Sequence, residues 1–274
     1  MTKGEKARKD VLASARKSSP GKVEVWQLDM SEYSSVLAFG DRMKILARID
    51  AFIANAGIDT LQFEQFQGYE STITVNVIST ILVALLAIPK LRETSVAQSK
   101  PSHLVFTVSV MHIFAKHKQL SEPAAGQIFN SLNDKATADM EGRYYLSKLM
   151  EQFAVRQLAL ELSRSAGKGR GSVICNCVNP GWCKTELFRT NDGGLGGRIG
   201  LKIVGRSAES GGRTLVHAAV AGEETHGKYL SECRIKPEGS WVRSDEGARV
   251  EKRLWTELVD ILEGIQPGVT KIQP

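Results

Sequence analysis

Apolar runs recur along the chain without strict alternation, and between them lie stretches where apolar positions return every three or four residues. VEVWQLD, Val23–Asp29, reads as a strand, and DAFIANAG, Asp50–Gly57, as a short buried strand ending in a glycine turn. HLVFTVS, His103–Ser109, and SVICNCVNP, Ser172–Pro180, read as two more. The helical period in SSVLAFGDRMKILARI, Ser34–Ile49, predicts one helix, with longer ones expected from about Gly68 to Arg92 and from about Gly142 to Ser165. Strands without alternation, separated by long helices, are what a parallel sheet covered on both faces requires. The predicted class is therefore α/β: an open, doubly wound parallel sheet with right-handed crossovers. No repeat or linker divides it, so residues 1–274 read as one domain.

Such sheets bind ligands outside the carboxyl ends of their strands. The residues there are Asp29, then Asn55-Ala56-Gly57, then Ser109, then Asn179-Pro180-Gly181, each polar, small or turn-forming after an apolar run. The longest apolar run, Val75–Pro89, carries Asn76, Ser79 and Thr80 and is short for a bilayer, so it reads as a buried helix. A hydrophobic content of 42% and a charged content of 24% suit a globular protein with a sizeable core.

The net charge of +6 is concentrated at the front: residues 1–22 hold seven Lys or Arg against Glu5 and Asp10. A basic helix without interleaved aromatics reads as a solvated face, so no nucleic-acid partner is expected. Cys175 and Cys177 fall on one face of a strand and read as buried thiols; no metal site is expected. The polar start reads as neither a secretory leader nor a presequence, and the expected location is cytoplasmic.

In MEGRYYLSK, residues 140–148, Tyr144 and Lys148 stand four apart, one turn on the same helix face, and no other tyrosine has a lysine at that spacing. A lysine ammonium so placed favours phenolate and lowers a phenol pKa that is otherwise near 10. The chain here resembles the short-chain dehydrogenases/reductases, from about residue 3 to its C-terminus. ANAG looks like that family's Asn-Asn-Ala-Gly turn with Ala54 in place of the first Asn, TVSV like the strand end with the catalytic serine, and YYLSK like its Tyr-x-x-x-Lys helix. NPGWCKTEL looks like its Pro-Gly turn followed by a cofactor-contacting threonine. Stretches such as PSHLVFTVSVMHIFA are similar to a fungal, retinol-dehydrogenase-like branch often found with secondary-metabolite pathways.

The resemblance implies a Rossmann-like fold and an oxidoreductase that interconverts a carbonyl and an alcohol. It implies catalytic roles for Ser109 (holding the substrate oxygen), Tyr144 (proton transfer), Lys148 (tuning Tyr144 and binding the nicotinamide ribose) and Asn76 (anchoring a relay water). Cofactor contacts would come from Asp29, Asn55, Ala56, Gly57, Tyr144, Lys148, Pro180, Gly181 and Thr185. Asp29 reads equally as a helix cap, Asn76 as a tether for backbone, and Tyr145 as packing. GGLGGRIG, Gly193–Gly200, has a phosphate-loop spacing but no strand feeding it and reads as a flexible lid.

The front departs from the family. MTKGEKARKDVLASARK looks like the helix after the family's second strand, so its first strand, glycine-rich loop, first helix and second strand have no counterpart, and the domain reads as N-terminally truncated. Three accounts are open: Val23–Leu28 closes against Ala51–Asn55, the fold is less stable, or the start codon lies upstream. Lys3 and Lys6 tilt the cofactor choice toward NADP, with NAD also open. The expected substrate is a small hydrophobic carbonyl or alcohol, its pocket shaped by the insert between Ser109 and Tyr144, and a homo-oligomer is compatible with the sequence. The alternative reading is a catalytically silent relative that acts through protein contacts.

Overall fold

The computed structural model of the chain describes residues 2–15, 21–167, 171–183 and 205–272. An exposed helix α1 (Lys3–Ser14), capped by Thr2, precedes α2 (Tyr33–Lys44), and β1 (Ala51–Ala54) follows. A two-residue turn at Gln67 and Gly68, both at positive φ, joins β2 (Gln65–Phe66) to β3 (Tyr69–Glu70). That hairpin occupies the position expected to open the long helix. The helix instead begins at α3 (Ser71–Ile73), widens into a π segment over Thr74–Ser79, and continues as α4 (Thr80–Gln98). Next come β4 (Ser102–Thr107), a 3-10 turn at Val110–Phe114, and two short helices, α5 (Lys118–Ser121) and α6 (Ile128–Ser131). The chain goes on through α7 (Met140–Arg164), β5 (Val173–Asn179), α8 (Ala208–Ala218), β6 (Tyr229–Ser231), β7 (Arg234–Ile235) and α9 (Asp245–Ile265).

The main sheet runs β1-β4-β5-β6-β7, parallel except for the last pair. With helices against it, this is the expected Rossmann-like architecture. One face carries nearly the whole core: Leu104, Phe106, Cys175 and Cys177 meet α4 and α7 in a single large cluster. The two thiols are buried on that face, as the strand pattern predicts. Asn176, between them, points the other way and donates to the Ala218 carbonyl and to Thr225 Oγ1. The opposite face is thin, with Val105, Val178, Ala218 and Leu230 forming a small cluster under α8. Ile53, beside Val105 in the β1–β4 register, is partly exposed there.

Two expectations fail at the front. Val23–Asp29 forms no strand, because no neighbouring strand accepts its hydrogen bonds, and it does not close against β1. Among the described residues β1 is therefore the edge of the sheet. The helical stretch Ser71–Gln98 has the length and composition to cross a membrane, but its apolar window is 94% buried within the protein, so it is a core helix.

The insert between β4 and α7 is tied down by α9. Glu257 accepts hydrogen bonds from the backbone N–H groups of Gly126 (2.9 Å), Ile128 (2.8 Å) and Phe129 (3.3 Å). Arg253 donates to the carbonyls of Ser121 and Pro123, and His117 stacks on Trp241 at 4.4 Å. Replacing Glu257 with alanine orphans three N–H groups, two of them in buried bonds, and is expected to cost about 2–4 kcal/mol of unfolding free energy, measurable by urea denaturation.

Candidate active site

Four elements converge where β4 and β5 end: the loop after β1, the π segment, the turn after β4, and the first turns of α7. Asn179, closing β5, holds the strand ends together. Its Oδ1 accepts from the N–H groups of Val110 and Gly181, each at 3.2 Å, and its Nδ2 donates to Ser231 Oγ at 3.2 Å. Gly181 has φ +84°, and a Cβ there would stand 3.1 Å from the Arg206 side chain, so both conformation and space call for glycine.

Ser109 caps the 3-10 turn, accepting from Met111 N–H at 3.2 Å. Its carbonyl accepts a 2.8 Å bond from Nδ1 of the buried His112, whose Nε2 in turn accepts from Gly239 N–H at 3.1 Å. These bonds fix the neutral Nδ1–H tautomer. Burial pushes the imidazole below its ordinary value, outweighing the Ser109 carbonyl and Glu238.

Tyr144 is buried near the start of α7, with the Ser109 side chain among the groups that act on its phenol. Lys148 Nζ lies 5.9 Å from the centre of the Tyr144 ring. Burial raises the phenol pKa; Lys148 lowers it, Glu151 and Asp59 raise it, and the Ser109 hydroxyl lowers it slightly, leaving the net direction upward. In the chain by itself desolvation of the phenolate is the larger effect, outweighing the lysine. Tyr145 is half-buried and packs edge-on to Tyr144 at 6.2 Å.

Lys148 donates to the Thr107 carbonyl at 2.8 Å and to Glu151 Oε2 at 2.7 Å, with side chains 5% and 1% exposed. Glu151 escapes a reading by family motif. Its sequence signal is a lone acid three residues after the lysine, inside an apolar helical run.

Asn76 sits in the π segment, a helix irregularity that recurs at functional sites. Its side chain accepts from Ile58 N–H (2.8 Å) and donates to the Ile58 carbonyl (2.9 Å) and to Ser147 Oγ (3.0 Å). The side-chain amide is thus a tether between the β1 loop and α7. Gly57 lies under the same group: a Cβ there would be 3.1 Å from Asn76 Oδ1 and 3.8 Å from Lys148 Nζ. Asn55 Oδ1 accepts from Thr107 Oγ1 at 3.1 Å, and Ala56 lies between Asn55 and Gly57 in that loop.

Asp29 stands apart from this cluster. It ends no strand and caps no helix: α2 starts at Tyr33 behind Glu32, while the exposed Asp29 carboxylate accepts from Ser31 N–H (2.9 Å) and Ser31 Oγ (2.6 Å) in a local turn. Those bonds hold its carboxyl below the usual range. Thr185 and the glycine-rich stretch Gly193–Gly200 lie outside the described residues.

A family model described as short chain dehydrogenase matches residues 1–121. Short chain dehydrogenase/reductase dmxR8 of Cryptosporiopsis sp. (strain 8999) is 40% identical over 277 residues, spanning 98% of this chain and 82% of that protein. The chain belongs to the short-chain dehydrogenases/reductases. Short-chain dehydrogenase anuD of Penicillium roqueforti (strain FM164) is 39% identical over 253 residues, 91% of this chain and 65% of the relative. Among solved structures, the Pseudomonas aeruginosa RhlG/NADP active-site complex superposes with a TM-score of 0.56 at 18% identity, covering 88% of this chain and 84% of that one, which shows the shared fold. This short-chain dehydrogenase/reductase is an oxidoreductase of small molecules, and its buried cluster is the candidate active site.

The depressed His112 pKa gives a signed prediction. Its unfolded imidazole protonates near 6.5, whereas the folded one resists to lower pH. Its stabilising contribution is therefore complete above 6.5 and lost as pH falls through the folded value. Thermal melts from about pH 7 to pH 5 should show a drop in Tm that is shallower in His112→Asn. An unchanged slope would remove His112 from the acid response.

Proposed function

We propose that this short-chain dehydrogenase/reductase reduces a carbonyl on a small hydrophobic metabolite with NADP(H), and that Ser109, Tyr144 and Lys148 carry the chemistry. The observation behind this reading is that residues from β4, α7 and the β1 loop, distant in sequence, meet in one buried hydrogen-bonded cluster beside a glycine.

The residues present fit the nicotinamide–ribose half of the cofactor. Gly57 keeps this turn free of a side chain that would crowd Asn76 Oδ1, next to a lysine ammonium with two of its three donors already used. Lys148 would hold the ribose with its third donor, and Asn55–Gly57, Pro180 and Gly181 would border the ring. Among the described residues no glycine-rich strand-to-helix turn is present, so no pyrophosphate site is assigned. When bound, the cofactor supplies the hydride.

Ser109 holds the carbonyl oxygen and stabilises its developing charge. Tyr144 gives that oxygen its proton as a general acid, and burial suits it to stay protonated until then. Asn76 keeps the β1 loop and α7 in register around the reaction centre. Val110, Ile113, Phe114 and Trp182, large apolar side chains left exposed just after β4 and β5, support an apolar substrate. NADP is favoured because the similar RhlG structure is described as an NADP complex and because basic residues gather in α1. A place in secondary metabolism accords with the relatives from Cryptosporiopsis and Penicillium roqueforti, and a cytoplasmic setting is part of the same proposal.

The test is titration of the purified chain with NADPH and NADH, followed by nicotinamide fluorescence, and then turnover on a panel of apolar aldehydes and ketones. Tyr144→Phe should lose at least about 100-fold in turnover with cofactor affinity nearly unchanged. A fully active Tyr144→Phe would end the assignment, and a folded chain that binds neither cofactor would point to a silent relative.

A further inference from the structure

Tyr144, Lys148 and Glu151 follow at four and three residues along α7, so all three line one face of the helix. The face is closed to water: all three side chains are nearly fully buried. An ammonium buried here needs a counter-charge, and Glu151 Oε2 supplies one at 2.7 Å, while the Thr107 carbonyl fixes the ammonium from the side of β4 at 2.8 Å.

We propose that Glu151 is a positioning residue: it pins the Lys148 ammonium against β4 and offsets part of the lysine charge felt by Tyr144, so that Tyr144 is a weaker acid than the lysine alone would make it and keeps its proton for carbonyl reduction. The functional half rests on the reading above; the electrostatic half does not.

The surrounding groups act consistently with this. Burial opposes the Lys148 charge, but Glu151 and Tyr144 outweigh it and hold the lysine pKa above its ordinary value. Burial lifts the Glu151 carboxyl to about 7, with Lys148 pulling the other way. Tyr144 ionises only in the alkaline range, so Glu151 is a carboxylate throughout that range. Facing the trio are Asp59 from the β1 loop, which also disfavours phenolate, and Cys177 from β5, whose thiol burial keeps neutral. Lys148 is thus the only cation acting on Tyr144 among the described residues, and Glu151 is its direct partner.

The test is ultraviolet absorbance titration of tyrosinate in the full chain without cofactor, with Tyr144 isolated by subtracting the Tyr144→Phe trace in each background. In Glu151→Gln, Tyr144 should ionise at a pH lower by about 1 or more, because the lysine charge is no longer matched. Glu151→Asp should restore most of the original behaviour. If the unmodified chain unfolds before Tyr144 ionises, Glu151→Gln must show the phenolate below that unfolding pH. A folded Glu151→Gln whose Tyr144 titrates as before overturns the proposal.

Should Glu151→Gln fail to fold, the double variant Lys148→Met with Glu151→Gln removes both charges. Its Tyr144 should then ionise at a lower pH than in Lys148→Met alone, where Glu151 still acts on the phenol. A double variant whose Tyr144 titrates as it does in Lys148→Met would mean that Glu151 exerts no charge effect on the phenol, and would equally overturn the idea. Because no cofactor enters the titration, failure here is separate from failure to bind NADPH.

Discussion

Everything at this site follows from placing one ammonium in a dry interior. Water cannot solvate Lys148, so the fold must supply oxygen atoms at fixed places, and it does so with Glu151 from the same helix and the Thr107 carbonyl from β4. Breaking such a pair on one side is typically costly, about 3–5 kcal/mol, because the remaining charge stays buried. That constraint docks α7 on β4 in a single register. Tyr144, one turn earlier on the same face, is then carried to the end of the strand, where it meets the Ser109 side chain.

The rest of the local structure protects that docking. Asn76 joins the β1 loop to α7 through Ile58 and Ser147, His112 joins Ser109 to the loop at Gly239, and Asn179 gathers β4, β5 and β6. Each is a buried polar side chain whose hydrogen bonds run between elements far apart in sequence. A fully satisfied network of this kind costs little in stability, while a half-satisfied one costs much, so the network resists rearrangement as a unit.

The helix-and-strand alternation and the buried thiols of β5 were legible in the sequence because each rests on a periodicity, and the pairing of Tyr144 with Lys148 on their spacing; Ser109 and Asn76 entered through the resemblance to the family, and the structure places them at the turn after β4 and in the π segment. What was not legible depends on partners. VEVWQLD has the composition of a strand, yet a strand exists only if another accepts its hydrogen bonds, and no pattern within the segment reports that. The Gln67-Gly68 turn lay inside an otherwise helical stretch and was absorbed into it. Glu151 was visible as a charge, but its role depends on its being buried, and burial is settled by α7 packing against β5 and α9. The upward net shift of Tyr144 escaped for the same reason: spacing reveals the lysine, not the loss of water around the phenol.

The uneven covering of the sheet separates the site into two physically distinct halves. β4, β5, α7 and the loop after β1 hold the proton-transferring groups, and all their contacts lie on the well-packed side or between strands with partners on both sides. The outer edge of β1 and the face at Ile53 contribute nothing to those contacts. An open edge leaves backbone N–H and C=O groups without ladder partners, which weakens β1 locally. Yet β1 is joined to β4 along its whole length, from Ala51 with His103 to Ala54 with Phe106, and its loop is tied to α7 through Asn76. Disturbance at the edge therefore has to break the Asn76 tether before it reaches Tyr144. The groups that would handle the proton are insulated from whatever happens where β1 ends the sheet.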